Sequence, residues 1–236
     1  MPKKENVRQM FDGIASDYDR LNHIMSLDID KTWRRKALRE IVAPEVRGVL
    51  DLACGTGDFS IAIARLMRRQ SIPGHVTGVD LSEGMLAVMK EKVAQEGFTG
   101  MISMQVGDGE NLPFGSGTFD RVTIAFGIRN FENRAKGLQE MLRVLKPGGK
   151  LVILELSVPE NAVIRWFYNL YFLHILPLIG GKVSGDKAAY NYLPASVLHF
   201  PGRKAFLEEM HAAGFPEVTH RAFSFGICRM YTGVKA

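Results

Sequence analysis

The sequence predicts an α/β protein of Rossmann-like architecture, with a seven-stranded sheet that ends in an antiparallel edge hairpin. Two features of the chain carry this prediction. Short apolar runs of strand length alternate with amphipathic segments of helical length, which is typical of a largely parallel sheet covered by helices. The final two apolar runs, 217–223 and 227–234, follow one another with no helix between them, which predicts the hairpin.

The composition is that of one folded domain. The 236 residues are 46% hydrophobic and 23% charged, so residues 1–236 are expected to form a single domain. Within it we assign residues 1–45 to an N-terminal helical cover and residues 158–200 to a helical lid insertion. The 30 Lys and Arg residues exceed the 25 Asp and Glu residues, and this net charge of +5 is compatible with an anionic membrane surface or nucleic acid without establishing either.

Cysteine usage and the first residues indicate the cellular compartment. The two cysteines, Cys54 and Cys228, are too few for a disulfide framework. The first six residues lack the apolar core of a secretory signal. We therefore expect a cytoplasmic protein, and we leave open both peripheral contact with the inner face of the plasma membrane and a homodimer. We assign no metal ligands.

The N-terminal cover is predicted from apolar residues at helical spacing between Val7 and Tyr18. It continues into a stretch rich in polar and aromatic side chains, namely Tyr18, Asp19, Asn22, His23 and Trp33. These residues either pack as a plain cover on the sheet or also form one wall of a substrate pocket, since such pockets need a few placed polar groups.

The first strand and the turn after it predict a nucleotide crevice. Residues 48–58 read Gly-Val-Leu-Asp-Leu-Ala-Cys-Gly-Thr-Gly-Asp, a buried strand followed by two glycines and the start of a helix. Open α/β sheets bind nucleotides at such a turn, because glycine lets the backbone turn tightly and approach a ligand. The residues that shape or line this turn are Asp51, Gly55, Thr56 and Gly57. An ordinary strand-turn-helix without a ligand is the alternative.

Nearby acids favour S-adenosylmethionine over a dinucleotide as the ligand. Ser60 is a poor match to the third small residue of the dinucleotide fingerprint, and Asp58 places a carboxylate where a pyrophosphate would lie. Asp80 ends the second strand, where a carboxylate binds the two ribose hydroxyls. S-adenosylmethionine carries cationic groups and no phosphate, so acids near the turn suit it.

The ends of the third and fourth strands add further candidate residues. Asp108, with Gly109 beside it, follows the third strand and is placed to accept the exocyclic N–H of an adenine, although Gly-Asp-Gly is also a common turn. Ala125 lies near the end of the fourth strand, 119–126, and is assigned to the same cofactor site. Arg129 and Asn130 follow it; they are costly to bury unpaired, so we expect them to meet the substrate.

The second half of the chain completes the sheet. A helix from about Asn133 to Leu145 stops at Pro147-Gly148-Gly149, an apolar strand follows at 150–155, and a last helix opens at Pro201. The apolar, aromatic run 164–179 is interrupted by polar residues and a proline, so a membrane span is not predicted. We interpret it as a lid over the pocket or a contact with the bilayer face; a helical insertion packed on the sheet is the alternative.

The chain resembles, over nearly its whole length, the quinone-biosynthesis C-methyltransferases of the UbiE/MenG family. The most specific match is the run from Arg143 to Ser157, Arg-Val-Leu-Lys-Pro-Gly-Gly-Lys-Leu-Val-Ile-Leu-Glu-Leu-Ser. Tyr18-Asp19-x-x-Asn22-x-x-Met25-Ser26 and Phe126-Gly127-Ile128-Arg129-Asn130 also fit. The resemblance implies the class I S-adenosylmethionine-dependent methyltransferase fold.

The same resemblance implies the reaction and the residue roles. The expected reaction is methylation of a ring carbon of a reduced polyprenyl quinone, demethylmenaquinol to menaquinol, in menaquinone biosynthesis. The 2-methoxy-6-polyprenyl-1,4-benzoquinol of ubiquinone biosynthesis, or another lipid-like phenol or sterol, is the alternative substrate. The cofactor residues that the resemblance implies are Thr56, Asp80, Asp108 and Gly109. The catalytic set that we assign as a hypothesis is Arg129, Asn130, Tyr18, Asp19 and Asn22.

Arg129 is expected to stabilise the developing phenolate of the substrate, while a bound water or Asp19 takes the proton. A nucleic-acid methyltransferase is disfavoured, because Gly127-Ile128-Arg129-Asn130 stands where base-amino methylases usually have Asn/Asp-Pro-Pro-Tyr, and no aromatic-basic stripe is present. We therefore expect no nucleic-acid partner. A cofactor-binding scaffold without catalysis is a further alternative, against which Arg129 and Asn130 argue.

Overall fold

The computed structural model of the protein describes residues 3–16, 18–19, 26, 28–171 and 187–236. Its seven strands are β1 (Gly48–Leu52), β2 (His75–Asp80), β3 (Ile102–Val106), β4 (Phe119–Ala125), β5 (Leu145–Leu156), β6 (Glu217–Phe223) and β7 (Cys228–Val234). The helices of the described residues are α1 (Lys4–Ile14), α2 (Ile29–Ile41), α3 (Asp58–Arg69), α4 (Glu83–Gln95), α5 (Arg134–Val144), α6 (Ala162–Leu170), α7 (Lys187–His199) and α8 (Arg203–Ala212).

The strands form one sheet in the order β3-β2-β1-β4-β5-β7-β6. β7 runs antiparallel to both of its neighbours, β5 and β6, and the pairs among β1 to β5 are parallel. This confirms the predicted seven-stranded sheet with its antiparallel edge hairpin. The strand order changes direction between β1 and β4, and ligands of open α/β sheets bind outside the carboxyl ends of the strands at such a switch point.

The sheet is buried on both faces, which is why its central strands are almost wholly apolar. Val49 faces the helical layer of α2, α3 and α4, where Ile41, Phe59 and Met89 are buried. The next residue, Leu50, faces the opposite layer, in which Leu138 of α5 and Phe206 of α8 are buried. These two buried layers therefore hold in place the sheet edge that carries the predicted site residues.

The described elements differ from the predicted ones mainly at their ends. β5 begins at Leu145, whose register with Phe119 continues the ladder past the Pro-Gly-Gly turn, so the strand is longer than residues 150–155. α1 ends at Ile14 rather than near Tyr18, and α8 begins two residues after Pro201. Asn22 and His23, predicted for the pocket wall, lie outside the described residues.

The two insertion helices occupy the region predicted as a lid. α6 follows β5, with Asn161 accepting hydrogen bonds from the N–H groups of Val163 and Ile164 as its N-cap. α7 packs near the turn that carries Arg129. Within the described part of the chain, no helix combines the length and the apolar character needed to cross a bilayer.

Candidate active site

A cleft opens at the carboxyl ends of β1, β2 and β4, with α1 packed over it. It encloses about 770 Å³ of empty space, counting the part open to solvent. The side chains of α1 that line it are Lys4, Val7, Arg8 and Phe11, and the predicted site residues that line it are Tyr18, Gly55, Asp80, Asp108, Gly109, Ala125 and Asn130. The fold thus brings most of the predicted residues to one place.

The turn after β1 depends on its two glycines. Gly55 and Gly57 have φ of +56° and +85°, in the left-handed region that side chains disfavour. A Cβ on Gly57 would also lie 2.5 Å from Met89 Cγ, so only glycine lets α3 start this close to α4. Gly57 therefore shapes the turn, as predicted, but does not itself line the cleft.

Asp80 is oriented by the backbone of two neighbouring turns. Its Oδ2 accepts the N–H of Gly55 at 2.8 Å and its Oδ1 accepts the N–H of Ser82 at 2.9 Å. Burial raises the pKa of Asp80, and these backbone hydrogen bonds oppose that rise. Each oxygen keeps a lone pair for a ligand in the cleft, as binding of two ribose hydroxyls requires.

Asp108 is held by a residue that no local pattern in the sequence singles out. Lys4 of α1 places its Nζ 2.7 Å from Asp108 Oδ2 and 3.3 Å from Glu110 Oε2. The other oxygen of Asp108 accepts the N–H of Glu110 at 2.9 Å. A positive residue in the first turn of a helix carries no signal for a partner about a hundred residues away, so this pair emerges only from the tertiary structure.

A second polar network joins the N-terminal cover to the glycine turn. Thr56 Oγ1 donates to Asp19 Oδ1 at 2.5 Å, and Lys92 Nζ lies 2.6 Å from Asp19 Oδ2 and 2.5 Å from Asp58 Oδ1. The sequence alone predicts an uncompensated negative charge at Asp58 that would repel a phosphate, but Lys92 compensates this charge. The acids that favour a phosphate-free ligand are therefore Asp51 and Asp80.

Asp51 lies in β1 and is almost completely buried. Ser60 Oγ donates to its Oδ2 at 2.5 Å. Burial raises the pKa of Asp51 to about 7, while Ser60 and the nearby charge of Arg34 lower it. Ser60, a mismatch to the dinucleotide fingerprint, therefore serves as the hydrogen-bond donor to this acid.

Arg129 lies in a single turn of 3₁₀-helix, Ile128–Asn130, directly after β4. Its Nη1 lies 2.7 Å from Glu155 Oε1 and also donates to the carbonyl of Phe126, and its Nε donates to Ser196 Oγ at 3.2 Å. Its Nη2 makes no hydrogen bond to any residue that the structure describes. The side chain is 6% exposed.

This placement gives Arg129 a partner that the sequence did not predict. Glu155 pairs the buried guanidinium and Arg129 does not line the large cleft, so its contact with the substrate stays a prediction. Burial works against the cation, but Glu155 outweighs burial and the pKa of Arg129 is raised overall, with the hydroxyls of Tyr18 and Tyr192 adding to the rise. The sequence signal that could have identified Glu155 is an acidic residue at the end of an otherwise apolar strand.

Asn130, in contrast, lines the cleft, and its side-chain oxygen accepts a hydrogen bond from the hydroxyl of Tyr192 at 2.9 Å. Tyr18 lines the cleft on the side of the N-terminal cover. Asp19 does not line it and is bound to Thr56 and Lys92. Among the described residues, no group of three or more His, Cys, Asp or Glu side chains is arranged to hold a metal ion.

The chemistry of these residues fits S-adenosylmethionine. Asp80 and Asp108 present carboxylate oxygens to the cleft, as the hydroxyls and the amino group of an adenosine require, and Asp51 is an acid beside the turn, as a cationic tail requires. The glycine turn leaves the backbone open to a ligand where Cβ atoms would intrude.

Comparison with known proteins places the chain in context. A family model described as the ubiE/COQ5 methyltransferase family matches residues 1–235. A Ubiquinone/menaquinone biosynthesis C-methyltransferase UbiE from Geobacter sulfurreducens is 48% identical over 99% of this chain and 90% of its own length. A Demethylmenaquinone methyltransferase from Bacteroides fragilis is 43% identical over 99% of this chain and 94% of its own.

Solved structures agree on the fold. The [4+2]-cyclase SpnF superposes with a TM-score of 0.73 at 18% identity, over 99% of this chain and 97% of that one. A SAM-dependent methyltransferase from Aquifex aeolicus superposes with a TM-score of 0.63 at 19% identity, over 86% and 89% of the two chains. Sequence identities this low support a shared fold and no more. The cyclase illustrates that one fold hosts different reactions.

Proposed function

The chain belongs to the ubiE/COQ5 methyltransferase family, and we propose that it methylates a ring carbon of demethylmenaquinol to form menaquinol, with S-adenosylmethionine as the methyl donor. The observation that carries this proposal is full-length similarity to proteins named for this reaction, combined with a cleft whose acids suit the donor. Relatives named for both ubiquinone and menaquinone biosynthesis favour the ubiquinone-pathway benzoquinol as a second candidate substrate.

The donor-binding residues follow from the cleft. When bound, S-adenosylmethionine supplies an electrophilic methyl group on a sulfonium. We expect Asp80 to accept its ribose hydroxyls, Asp108 and the backbone at Gly109 to bind its adenine, and Gly55, Thr56, Gly57 and Ala125 to shape the surface beside it. Because Lys4 occupies one oxygen of Asp108, an adenine amino group would have to share that carboxylate with Lys4 or displace it.

The substrate must become more nucleophilic before it accepts a methyl group. A phenol ionises near pH 10, and matching this to neutral pH needs about 4 kcal/mol. Arg129 is positioned to supply much of it, because Glu155, Phe126 and Ser196 fix one half of the guanidinium while the Nη2 donors remain available. Arg129 stays protonated and does not act as the base.

Neighbouring residues would orient the ring and pass on its proton. Tyr18 and Asn130 line the cleft, and the hydroxyl of Tyr192 fixes the amide of Asn130. Asp19 is bound to Thr56 and Lys92 and does not line the cleft, so it is not placed to take the proton. A water held by Asn130 or by Arg129 is therefore the base that we favour, with Asn22 as a further orienting residue.

Peripheral membrane contact is part of this proposal, because a polyprenyl quinol is dissolved in the bilayer. The outer face of α6 carries Val163, Trp166, Phe167 and Leu170 at i, i+3, i+4 and i+7, each at least 41% exposed. α6 contains no acid, and its one charged residue is Arg165. Tyr168, on the inner face, is buried and lies within the electrostatic reach of Arg129. One short helix would thus join an anionic lipid surface to the site.

The decisive experiment offers the purified protein labelled methyl donor with reduced demethylmenaquinone or with the 2-methoxy-6-polyprenyl-1,4-benzoquinol, followed by mass spectrometry of the lipid. We expect one added methyl on a ring carbon of the naphthoquinol. Methylation of the benzoquinol alone would replace the proposed substrate by the second candidate. Labelling of neither quinol, with donor binding intact, would overturn the proposed function.

A further inference from the structure

A smaller polar pocket adjoins the large cleft on the side of α2. It shares Tyr18, Ala53, Gly55 and Ala125 with the cleft, so the two spaces are neighbours along the glycine turn. Its remaining lining residues are Arg34, Asp51, Cys54, Thr56, Asp58 and Phe59. Of the described residues that line it, Arg34 is the sole Lys or Arg.

Within the described part of the chain, Arg34 is held by ring contacts and an ion pair, and it makes no hydrogen bond there. Its guanidinium carbon lies 5.1 Å from the ring centroid of Phe126 and 5.7 Å from that of Phe59, which is the geometry of cation–π contacts. Its Nε lies 3.4 Å from Asp30 Oδ2, at ion-pair distance but outside hydrogen-bond geometry. The side chain is 15% exposed, yet none of its N–H groups donates to a residue in the described part of the chain.

Of the Arg34 nitrogens only Nε is a buried donor without an acceptor, so the terminal nitrogens are the donors that a ligand in the pocket can meet. The planar fork of arginine matches a carboxylate, which accepts two parallel hydrogen bonds from it. Asp51 in the same pocket is the acid suited to an ammonium. An acid and an arginine in one small pocket are the two partners that an amino-acid zwitterion needs.

We propose that Arg34 binds the α-carboxylate of the methionine moiety of the methyl donor, in the pocket that also holds Asp51. This inference rests on S-adenosylmethionine as the donor and is independent of which quinol is methylated. It adds a specificity determinant: the pocket selects adenosyl sulfur compounds that retain the amino-acid carboxylate. Arg34 is a binding residue in this proposal and takes no part in the proton transfer.

The test compares two ligands by isothermal titration calorimetry, without any quinol. S-adenosylhomocysteine carries the carboxylate, and its decarboxylated analogue lacks it. Arg34→Gln should weaken binding of the first by roughly 10- to 100-fold, the range for a charge-assisted hydrogen-bonded pair, and leave the second unchanged. Arg35→Gln, at the exposed neighbouring position of α2, is the matched control and should alter neither affinity.

Two further results keep the proposal falsifiable even where Arg34→Gln folds poorly. Arg34→Lys keeps the charge but loses the fork, so it should weaken binding of the carboxylate-bearing ligand alone, by less than Arg34→Gln does. In the wild-type protein the decarboxylated ligand should bind at least tenfold more weakly. Equal affinity of the wild type for both ligands, or an equal loss of both in Arg34→Gln, would overturn the assignment.

Discussion

Arg129 Nη1 and Glu155 Oε1 lie 2.7 Å apart, and the Glu155 side chain is wholly buried at the end of β5. Glu155 Oε2 also accepts the backbone N–H of Arg129 at 3.2 Å, so one carboxylate fixes both the main chain and the side chain of this turn. The pair therefore decides where the guanidinium points, and it ties the proposed phenolate-stabilising group to the centre of the sheet.

Glu155→Gln should lower both stability and turnover. It leaves a buried guanidinium without a counter-charge, which costs about 3–5 kcal/mol in known buried pairs. We expect a fall in the free energy of unfolding by urea denaturation and a reduced kcat. The double variant Arg129→Met/Glu155→Leu is the control: it should recover most of the stability but none of the activity. Recovery of turnover in that double variant would show that the pair is purely structural.

Arg129→Lys should separate chemistry from donor binding. Lysine keeps the charge but loses the planar fork that contacts Glu155, Phe126 and Ser196 at once. We expect kcat to fall by roughly 100-fold, as on removal of one preorganised donor, with the donor Kd unchanged within about twofold. Single-turnover kinetics and calorimetry measure the two quantities, and normal turnover in this variant would remove Arg129 from the proposed mechanism.

The pKa of Asp51 predicts how stability depends on pH. An unfolded Asp ionises near pH 4, whereas burial raises the pKa of Asp51 to about 7 in the fold. Between these values the unfolded chain loses a proton that the folded chain keeps, so the contribution of Asp51 to stability falls as pH rises from about 4 to about 7. Urea denaturation of wild type and Asp51→Asn should show a shallower decline in the variant; parallel curves would contradict the shift.

The same acid should make donor affinity depend on pH. A cationic ligand favours the ionised carboxylate, so binding of S-adenosylmethionine should release protons and tighten as pH rises from about 6 to about 8. Calorimetry in buffers of different ionisation enthalpy counts the protons. Asp51→Asn should bind more weakly and with a flatter pH profile, whereas an unchanged profile would assign the titration to another group, such as Asp80.

The apolar face of α6 should bind anionic membranes. Trp166→Glu/Phe167→Glu places two charges where aromatic side chains would enter the bilayer, and we expect at least roughly tenfold weaker cosedimentation with phosphatidylglycerol vesicles. Gln70→Glu/Gln95→Glu adds the same two charges at exposed positions near the ends of α3 and α4, and should retain binding.

Turnover of a water-soluble and of a membrane-dissolved quinol separates a membrane-binding role of α6 from a catalytic one. The α6 variant should keep its turnover of a short-chain, water-soluble quinol and lose turnover of a long-chain quinol in vesicles. Loss of both activities would place α6 in the catalytic site instead. Light scattering tests the other occupant of this face: a dimer that the α6 substitutions dissociate would identify it as a contact between two copies of the chain.

Much of the site was predictable because local sequence patterns determine it. Gly55 and Gly57 signal a turn that few other residues can form, Asp80 ends a predicted strand, and Asp108 follows the next one. Parallel strands bring their carboxyl ends to one edge, so residues far apart in the sequence were expected to meet. Those expectations depended only on backbone geometry and periodicity.

The partners of the charged residues were not predictable in this way. Lys4 with Asp108, Lys92 with Asp58, and Arg129 with Glu155 join separate elements. An ion pair forms wherever packing brings two side chains within a few ångströms, and no local spacing encodes that distance. The sequence by itself determined the sheet, the glycine turn and the acids at its edge, because these follow from chain stiffness and burial. Only the tertiary structure decided which charges are neutralised and which donors, those of Arg34 and of Arg129 Nη2, lack an acceptor among the described residues, because both depend on how separate elements pack.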